Sequence, residues 1–279
     1  MADKRPGLHT LFSLYSTYGK MDLLWFLRDT RYCLLYLVTD VICAGASVGG
    51  VFLLSARFGG LGGMEEKELL FLLSYCVLID GVYSLFFAGN NMGQISRIIG
   101  RGQLDHCIIQ PVPLWMQLIT GGFCPFSASS KLLCGAVLCF YSIRQLGLAA
   151  GPGWLLSFLL SVLASTGIVL ACVYLLSSLA FLAPAAAEEI AMTALSLFDM
   201  LKAYPLGALP VFWQTVFCTA VPVGLAAWLP SRALLRLSFP LWTVLAAALF
   251  ITAASLVFRK GLCYYAAHGS PRYSGFGHR

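Results

Sequence analysis

Charged residues are scarce in this chain, and their scarcity determines its broad class. Asp, Glu, Lys and Arg make up 11% of the 279 residues, whereas 59% are hydrophobic and the mean hydropathy is +0.82. A soluble domain carries about 25% charged residues, which cover its water-exposed surface. The composition therefore excludes a soluble globular domain. It predicts an all-α integral membrane protein, because long apolar segments cross a bilayer as helices.

The chain also lacks the motifs of nucleotide, disulfide and metal chemistry. No G-x-x-x-x-G-K-[ST] segment is present, so any ATPase that drives this protein is expected to be another polypeptide. The ten cysteines form no C-x-x-C pair and most lie in apolar runs. They predict neither a disulfide framework nor a metal site. The polar start, MADKRPGLHT, lacks the apolar core of a cleaved signal.

Histidine is rare as well, which argues against an enzyme that works inside the membrane. Residues 45–49, GASVG, match the G-x-S-x-G pattern, but a nucleophilic serine needs a base within hydrogen-bond reach. All four histidines lie outside the apolar segments. Gly45 and Gly49 are better explained as a small-residue face for close helix packing. We therefore expect no catalytic residues on this chain.

Six apolar segments are long enough, at about 20 residues each, to cross a bilayer. The third contains Gly121, Gly122 and Pro125, which predict either a kink or first turns that lie at the interface. Pro222 predicts a kink in the fifth. The predicted spans are 34–55, 68–89, 114–143, 154–182, 206–228 and 238–258.

The distribution of basic residues predicts an orientation with both termini in the cytoplasm. Twelve of the eighteen Lys and Arg residues, Lys202 among them, then lie inside and five lie outside. This bias explains the net charge of +6 without a nucleic-acid partner. We predict one domain over 1–279, made of an N-terminal cytoplasmic or interfacial part (1–33), a six-helix bundle (34–258) and a cytoplasmic tail (259–279).

Two segments are predicted to lie on the membrane rather than to cross it. Residues 8–31 mix aromatic and charged side chains, as an interfacial amphipathic helix does. Residues 185–203 place polar side chains, including Asp199 and Lys202, at three- and four-residue steps on one helical stripe. The Ala-rich start of this second segment leaves insertion into the membrane as an alternative.

Three ionisable residues, Asp40, Asp80 and Lys131, lie within or near the predicted spans. Charges at that depth are expensive and are usually paired or exposed to water. One interpretation is a polar patch on a translocation path. The other is a structural ion pair between Asp80 and Lys131 on neighbouring helices.

The segment 97–117, RIIGRGQLDHCIIQPVPLWMQ, joins two apolar segments and alternates charge, apolar surface and rigid turns. A simple solvated connector needs no such pattern, so we predict a docking element for another protein. Its charged side chains would pair with groups in the partner's groove, its apolar ones would fill it, and prolines would stiffen its exit. The predicted docking residues are Arg97, Arg101, Gly102, Leu104, Asp105, Ile108, Ile109 and Pro111.

Three groups of residues occur in a distinctive order and spacing along the chain. They are Gly102-x-Leu104-Asp105 with Gln110-Pro111 and Gln117, then Tyr204-Pro205, Val221-Pro222 and Leu229-Pro230, then Arg259-Lys260-Gly261-Leu262 with Arg272-Tyr273-Ser274-Gly275. Together they resemble the membrane permeases of ABC-2-type exporters, in the branch of six-span bacterial permeases of about this length. The chain departs from that family at Gln110, where the family usually has Arg, and at 264–268, which precede the tail as if inserted.

This resemblance implies a six-helix permease that forms a dimer with a second copy or a sister permease in the bacterial inner membrane. It implies two ABC ATPase subunits, which hold ATP and Mg, so that no cofactor is bound on this chain. The implied activity is ATP-driven export of a hydrophobic or amphipathic small molecule, a drug or natural product. The alternatives are an ion-coupled secondary transporter that uses Asp80, Lys131 and Asp40 as a relay, a membrane enzyme, or a non-transport scaffold subunit.

Overall fold

The computed structural model describes residues 7–87, 92–100 and 102–269. These residues are mainly helical, with short 3₁₀ turns at Ser178–Phe181 and Leu206–Ala208 and a π-helical turn at Gly224–Trp228. The α-helices are α1 (Leu8–Arg28), α2 (Thr30–Phe58), α3 (Glu66–Phe87), α4 (Met92–Gly100), α5 (Leu104–Ile108), α6 (Leu114–Thr120), α7 (Ser129–Leu146), α8 (Pro152–Ser177), α9 (Pro184–Lys202), α10 (Val211–Thr219), α11 (Leu229–Leu235) and α12 (Leu241–His268).

The centre of the bundle is an antiparallel pair, α3 and α7, that packs at very short range. A Cβ added at Gly135 would lie 2.5 Å from the backbone of Leu78, and one at Gly81 would overlap the backbone of Leu132. Small residues allow this approach, which increases van der Waals contact between helices in lipid. Farther along the pair, the hydroxyls of Ser74 and Ser142 are 3.2 Å apart.

Helix α8 packs on the other side of α3 and runs in the same direction as α12. The hydroxyls of Tyr75 and Ser165 are 2.9 Å apart and both residues are fully buried. Between α8 and α12, Gly167 leaves room for Ile251, and the Tyr174 ring packs edge-on against Phe258. The main hydrophobic core therefore lies between α3, α7, α8 and α12.

The predicted third span, 114–143, is interrupted, because the chain leaves the helix after α6 and resumes at α7. The break falls at the predicted Gly121, Gly122 and Pro125. The Asp22 carboxylate of α1 accepts hydrogen bonds from the Phe126 amide (2.7 Å) and the Ser127 hydroxyl (2.5 Å). This tertiary contact satisfies backbone groups that a continuous helix would satisfy internally.

The predicted fifth span, 206–228, is not a straight helix either. The axes of Val211–Thr219 and Gly224–Leu235 differ by 85°, and Pro222 lies in the break between them. Trp228 packs in one cluster with Leu72 of α3, near the end of the bundle where α3 begins. This segment therefore fills one end of the bundle.

Helix α9 begins at the opposite end of the bundle, against α4. Ile95 and Ile99 of α4 and Ala187 and Ala191 of α9 are at most 1% exposed and belong to one hydrophobic cluster. The alanines allow α4 to lie close to α9. The first turns of α9 therefore lie at the same end of the bundle as the chain that follows α3.

The other end of α9 lies beside the middle of α3. The Cys76 thiol donates to the Lys202 carbonyl at 3.3 Å. Three residues later, Pro205 meets the α2–α3 turn, where a Cβ on Gly62 would lie 2.8 Å from Pro205 Cγ. The polar stripe of residues 185–203 thus belongs to a helix that runs antiparallel to α3.

Four helices in the described ranges are long and apolar enough to cross a membrane, and a fifth crossing is obtained if the bent pair is counted as one. They are α2, α3, α8 with its 3₁₀ extension, and α12. Helix α7 has only 18 residues, and α9 carries two Glu, one Asp and one Lys. The length and apolarity of α2, α3, α8 and α12 therefore define a multi-pass membrane protein.

Candidate functional site

A buried lysine joins α9 to α3 in the middle of the bundle. The Lys202 ammonium forms ion pairs with Asp80 of α3 and with Asp199 one turn earlier on α9, the latter at 2.8 Å. The Lys202 side chain is 2% exposed. A lysine buried to this extent requires carboxylate partners, because the desolvation of an unpaired ammonium is very costly. We call Asp80, Asp199 and Lys202 the charged triad.

The charged triad lines a cavity of about 540 Å³ between α2, α3 and the end of α9. The side chains of Asp80 and Asp199 are 37% and 55% exposed, so these carboxylates, unlike Lys202, remain accessible. The rest of the wall consists mainly of small and apolar residues, including Ala46, Gly50, Leu73, Cys76, Met200 and Tyr204. The arrangement provides a half-open apolar cavity with a charged patch on one wall.

A second ion pair involves the other two predicted residues. Lys131, in the first turn of α7, lies 3.2 Å from Asp40 of α2, and the Ser130 hydroxyl also donates to Asp40 at 3.2 Å. The proposed Asp80–Lys131 pair is therefore wrong. Lys131 pairs with α2, and Asp80 pairs with α9. The three predicted residues therefore belong to two different ion pairs in this structure.

Lys202 is the site residue that the sequence interpretation did not single out. It was counted among cytoplasmic basic residues because the more apolar run 206–228 was taken as the crossing. Asp199 and Lys202 stand three residues apart on one helical face, and this i, i+3 spacing was the available signal. The spacing alone does not reveal Asp80, which is 122 residues away in sequence.

The predicted docking segment forms α4, a turn and α5. Gly102 has φ +69°, a left-handed conformation that favours glycine, and its amide and that of Gln103 donate to the last carbonyls of α4. Arg97 donates from Nε (3.0 Å) and Nη2 (2.7 Å) to Glu188 of α9. Arg97 therefore binds within the chain, and Arg101 lies outside the described residues.

Leu104 is not free to enter a partner's groove, which corrects one predicted docking contact. Its side chain is 1% exposed and packs in the cluster that joins α4 to α9. Ile108 and Ile109, by contrast, are 47% and 79% exposed. Asp105 and Pro111 are also exposed. The surface available to a partner is therefore formed by α5 and the residues after it; we call residues 105–111 the exposed loop face.

Gln117 fixes the exposed loop face to the bundle. Its side-chain amide donates to the carbonyls of Cys107 (2.9 Å) and Val112 (2.7 Å) from its position on α6. The resemblance includes this glutamine but assigns it no role. Here it closes the loop into a compact unit, which allows the unit to move with α6.

These features, namely several apolar spans, charge pairs between helices and a compact connecting unit at one end, define the class of a multi-pass membrane protein. A family model described as "ABC-2 family transporter protein" matches residues 41–269. The chain belongs to this family and is an ABC-2-type permease, a membrane subunit. Comparison with curated proteins and with solved structures finds no match.

Proposed function

We propose that this chain is the permease subunit of an ATP-driven exporter in the bacterial cytoplasmic membrane. Two copies of a separate ABC ATPase, which hold ATP and Mg, would drive it to move a hydrophobic or amphipathic compound outward. The observation that carries this proposal is the continuous helix α9. One of its ends packs on α4 beside the exposed loop face, and its other end carries Asp199 and Lys202 at the cavity.

Helix α9 is suited to transmit a displacement because it is rigidly attached at both ends. The Arg97–Glu188 pair and the buried Ile95 and Ile99 hold its first turns. From Glu188 to Lys202 the helix extends roughly 21 Å, at 1.5 Å per residue. A push on α4 and α5 would therefore displace Asp199 and Lys202, at the far end of α9, relative to α2, and change the shape of the cavity.

We propose six crossings, formed by α2, α3, α7, α8, α9 and α12, with 206–240 folded into the external half of the bundle. Helix α9 supports this arrangement because it begins at the α4 end and is followed by Pro205 against Gly62 at the other end. Placing Lys202 within the membrane leaves eleven basic residues inside against five outside. The bias still favours cytoplasmic termini, with α1 at the interface.

A second permease, either another copy or a sister chain, is proposed to cover α2. Only 6% of the most apolar stretch of this helix is buried within the chain. A Cβ added at Gly45 or Gly49 would meet nothing within 4 Å. These two glycines therefore present an open small-residue face, which suits close packing against another helix.

The experiment that tests the proposal is loss of ATPase coupling in an Ile109→Asp variant. Ile109 is 79% exposed on the exposed loop face, so the substitution removes an apolar anchor without burying a charge. We expect reduced co-purification with the ATPase and loss of permease-stimulated ATP hydrolysis. Phe239→Asp, at a 53% exposed site at the opposite end of the bundle, is the matched control. It should keep both co-purification with the ATPase and stimulation of ATP hydrolysis. Wild-type association and stimulation in Ile109→Asp would contradict the proposal.

A further inference from the structure

By formal charge the charged triad is net negative, and the proposed crossing by α9 places it within the membrane. Two carboxylates share one ammonium, so one negative charge is left without a basic partner inside the triad. The two accessible side chains, Asp80 at 37% and Asp199 at 55% exposed, are the acidic ones, whereas Lys202 lies behind them at 2%. A net charge in a low-dielectric cavity strongly favours a ligand of opposite sign.

The cavity wall beside the triad also provides the contacts that an organic cation uses. Tyr204 lies two residues beyond Lys202 and lines the same cavity, with 47% of its surface exposed. Met200, 66% exposed, lines it as well. A tyrosine ring attracts a cation through its negative face, and a thioether adapts to ligands of varied shape. These two residues are independent of the ion pairs.

We propose that this cavity binds a lipophilic organic cation, with the charge of the ligand against Asp199 and Asp80 and its apolar groups against Tyr204, Met200 and α2. This inference rests on the proposed transport function and specifies its substrate class. The volume of about 540 Å³ accommodates a multi-ring compound rather than a bare inorganic ion. Small residues of α2, Ala46 and Gly50, leave the space for it.

The experiment compares two probes of nearly equal size and opposite charge, tetraphenylphosphonium and tetraphenylborate. The full-length chain is placed in nanodiscs without the ATPase, and equilibrium dialysis against empty nanodiscs measures saturable binding. We expect saturable binding of the phosphonium only. Asp199→Asn should weaken it at least tenfold, because the triad then becomes neutral. Asp29→Asn, at an exposed site between α1 and α2, should leave the affinity within twofold.

A second pair of variants does not disturb the ion pairs. Tyr204→Leu should weaken phosphonium binding about threefold or more, since it removes the ring but keeps an apolar side chain. Tyr204→Phe should bind within twofold of wild type. If Asp199→Asn does not fold, the Tyr204 pair decides the question. Saturable tetraphenylborate binding of equal strength, or phosphonium affinity unchanged in the folded Asp199 and Tyr204→Leu variants, would overturn the proposal.

This binding test is independent of ATPase coupling, so the two proposals fail separately. If Ile109→Asp keeps full ATPase stimulation while phosphonium binds at the triad, the docking assignment fails and the cation site stands. If coupling is lost as expected but phosphonium does not bind, the cavity does not select cations and the ATPase-driven function is unaffected.

Discussion

The two ends of α9 carry ion pairs that differ in burial, and their roles differ accordingly. At the α4 end, Arg97 and Glu188 are 46% and 28% exposed. At the other end, Lys202 is 2% exposed between two carboxylates. Water screens the first pair and does not reach the ammonium of the second. The Arg97–Glu188 pair therefore only helps to position α4. The pairing of Lys202 is required for α9 to pack in the bundle, because its ammonium is buried there.

This difference shows why counting charges along a membrane sequence misleads. Partly exposed pairs add at most about 1 kcal/mol, so a helix gains little from them. A buried charge whose partner is removed costs about 3 kcal/mol or more. The buried charge of Lys202 is thus compatible with the proposed crossing by α9, because Asp80 of another helix compensates it.

The largest effect on stability should come from Lys202→Met, which removes both buried ion pairs at the cavity end of α9. The substitution leaves Asp80 and Asp199 facing each other without a cation, so we expect destabilisation of about 3 kcal/mol. Adding Asp80→Asn should recover part of that loss, because the like-charge repulsion disappears. Thermal or denaturant unfolding of the purified variants measures both. If the single variant is no less stable than the double variant, Lys202 does not hold α9 by its charge.

The second-largest effect on stability should come from the hydrophobic packing at the α4 end of α9. Leu104→Ala removes a side chain that is 1% exposed in the α4–α9 cluster, so unfolding should become easier by about 2 kcal/mol. Ile109→Ala, the matched control at an exposed site, should change stability by less than about 0.5 kcal/mol. Leu104 variants would then lose ATPase coupling through misfolding, not through a missing contact. Equal stability of the two variants would place Leu104 on the surface.

The smallest effect is expected for the exposed pair itself. Glu188→Gln keeps the shape of the side chain and removes its charge, so the free energy of unfolding should fall by about 0.5 kcal/mol. The loss should shrink in high salt, because ions screen exposed charges. A loss comparable to that of Lys202→Met, and insensitive to salt, would show that the two ends of α9 do not differ.

Composition and hydropathy predicted the helical membrane class and the positions of α2, α3, α8 and α12, since a long apolar run is a property of one continuous segment. The family resemblance from the quoted motifs is confirmed by the match over 41–269. The break after α6 was signalled by Gly121 and Pro125, but the contact that stabilises it comes from Asp22, about 100 residues earlier.

The buried ion pairs of α9 could not be predicted from the sequence, for a physical reason. Hydropathy ranks a segment by its own residues, so the apolar 206–228 ranked above α9, which carries four charges. The compensation of Lys202 by Asp80 joins residues far apart in sequence and is not visible in either segment. Leu104 was predicted to be an exposed docking contact for the same reason, because the α9 residues that bury it are distant in sequence.

The central claim is that α9 connects the docking surface to the cavity by passing through the membrane. Impermeant thiol labelling of Glu189→Cys and Ala208→Cys, each in a cysteine-free background, tests it most directly, since both sites are exposed and lie on either side of the charged triad. The account predicts that Glu189→Cys is labelled only from the cytoplasm and Ala208→Cys only from outside. Labelling of both from the cytoplasm would place α9 on the membrane surface and contradict the account.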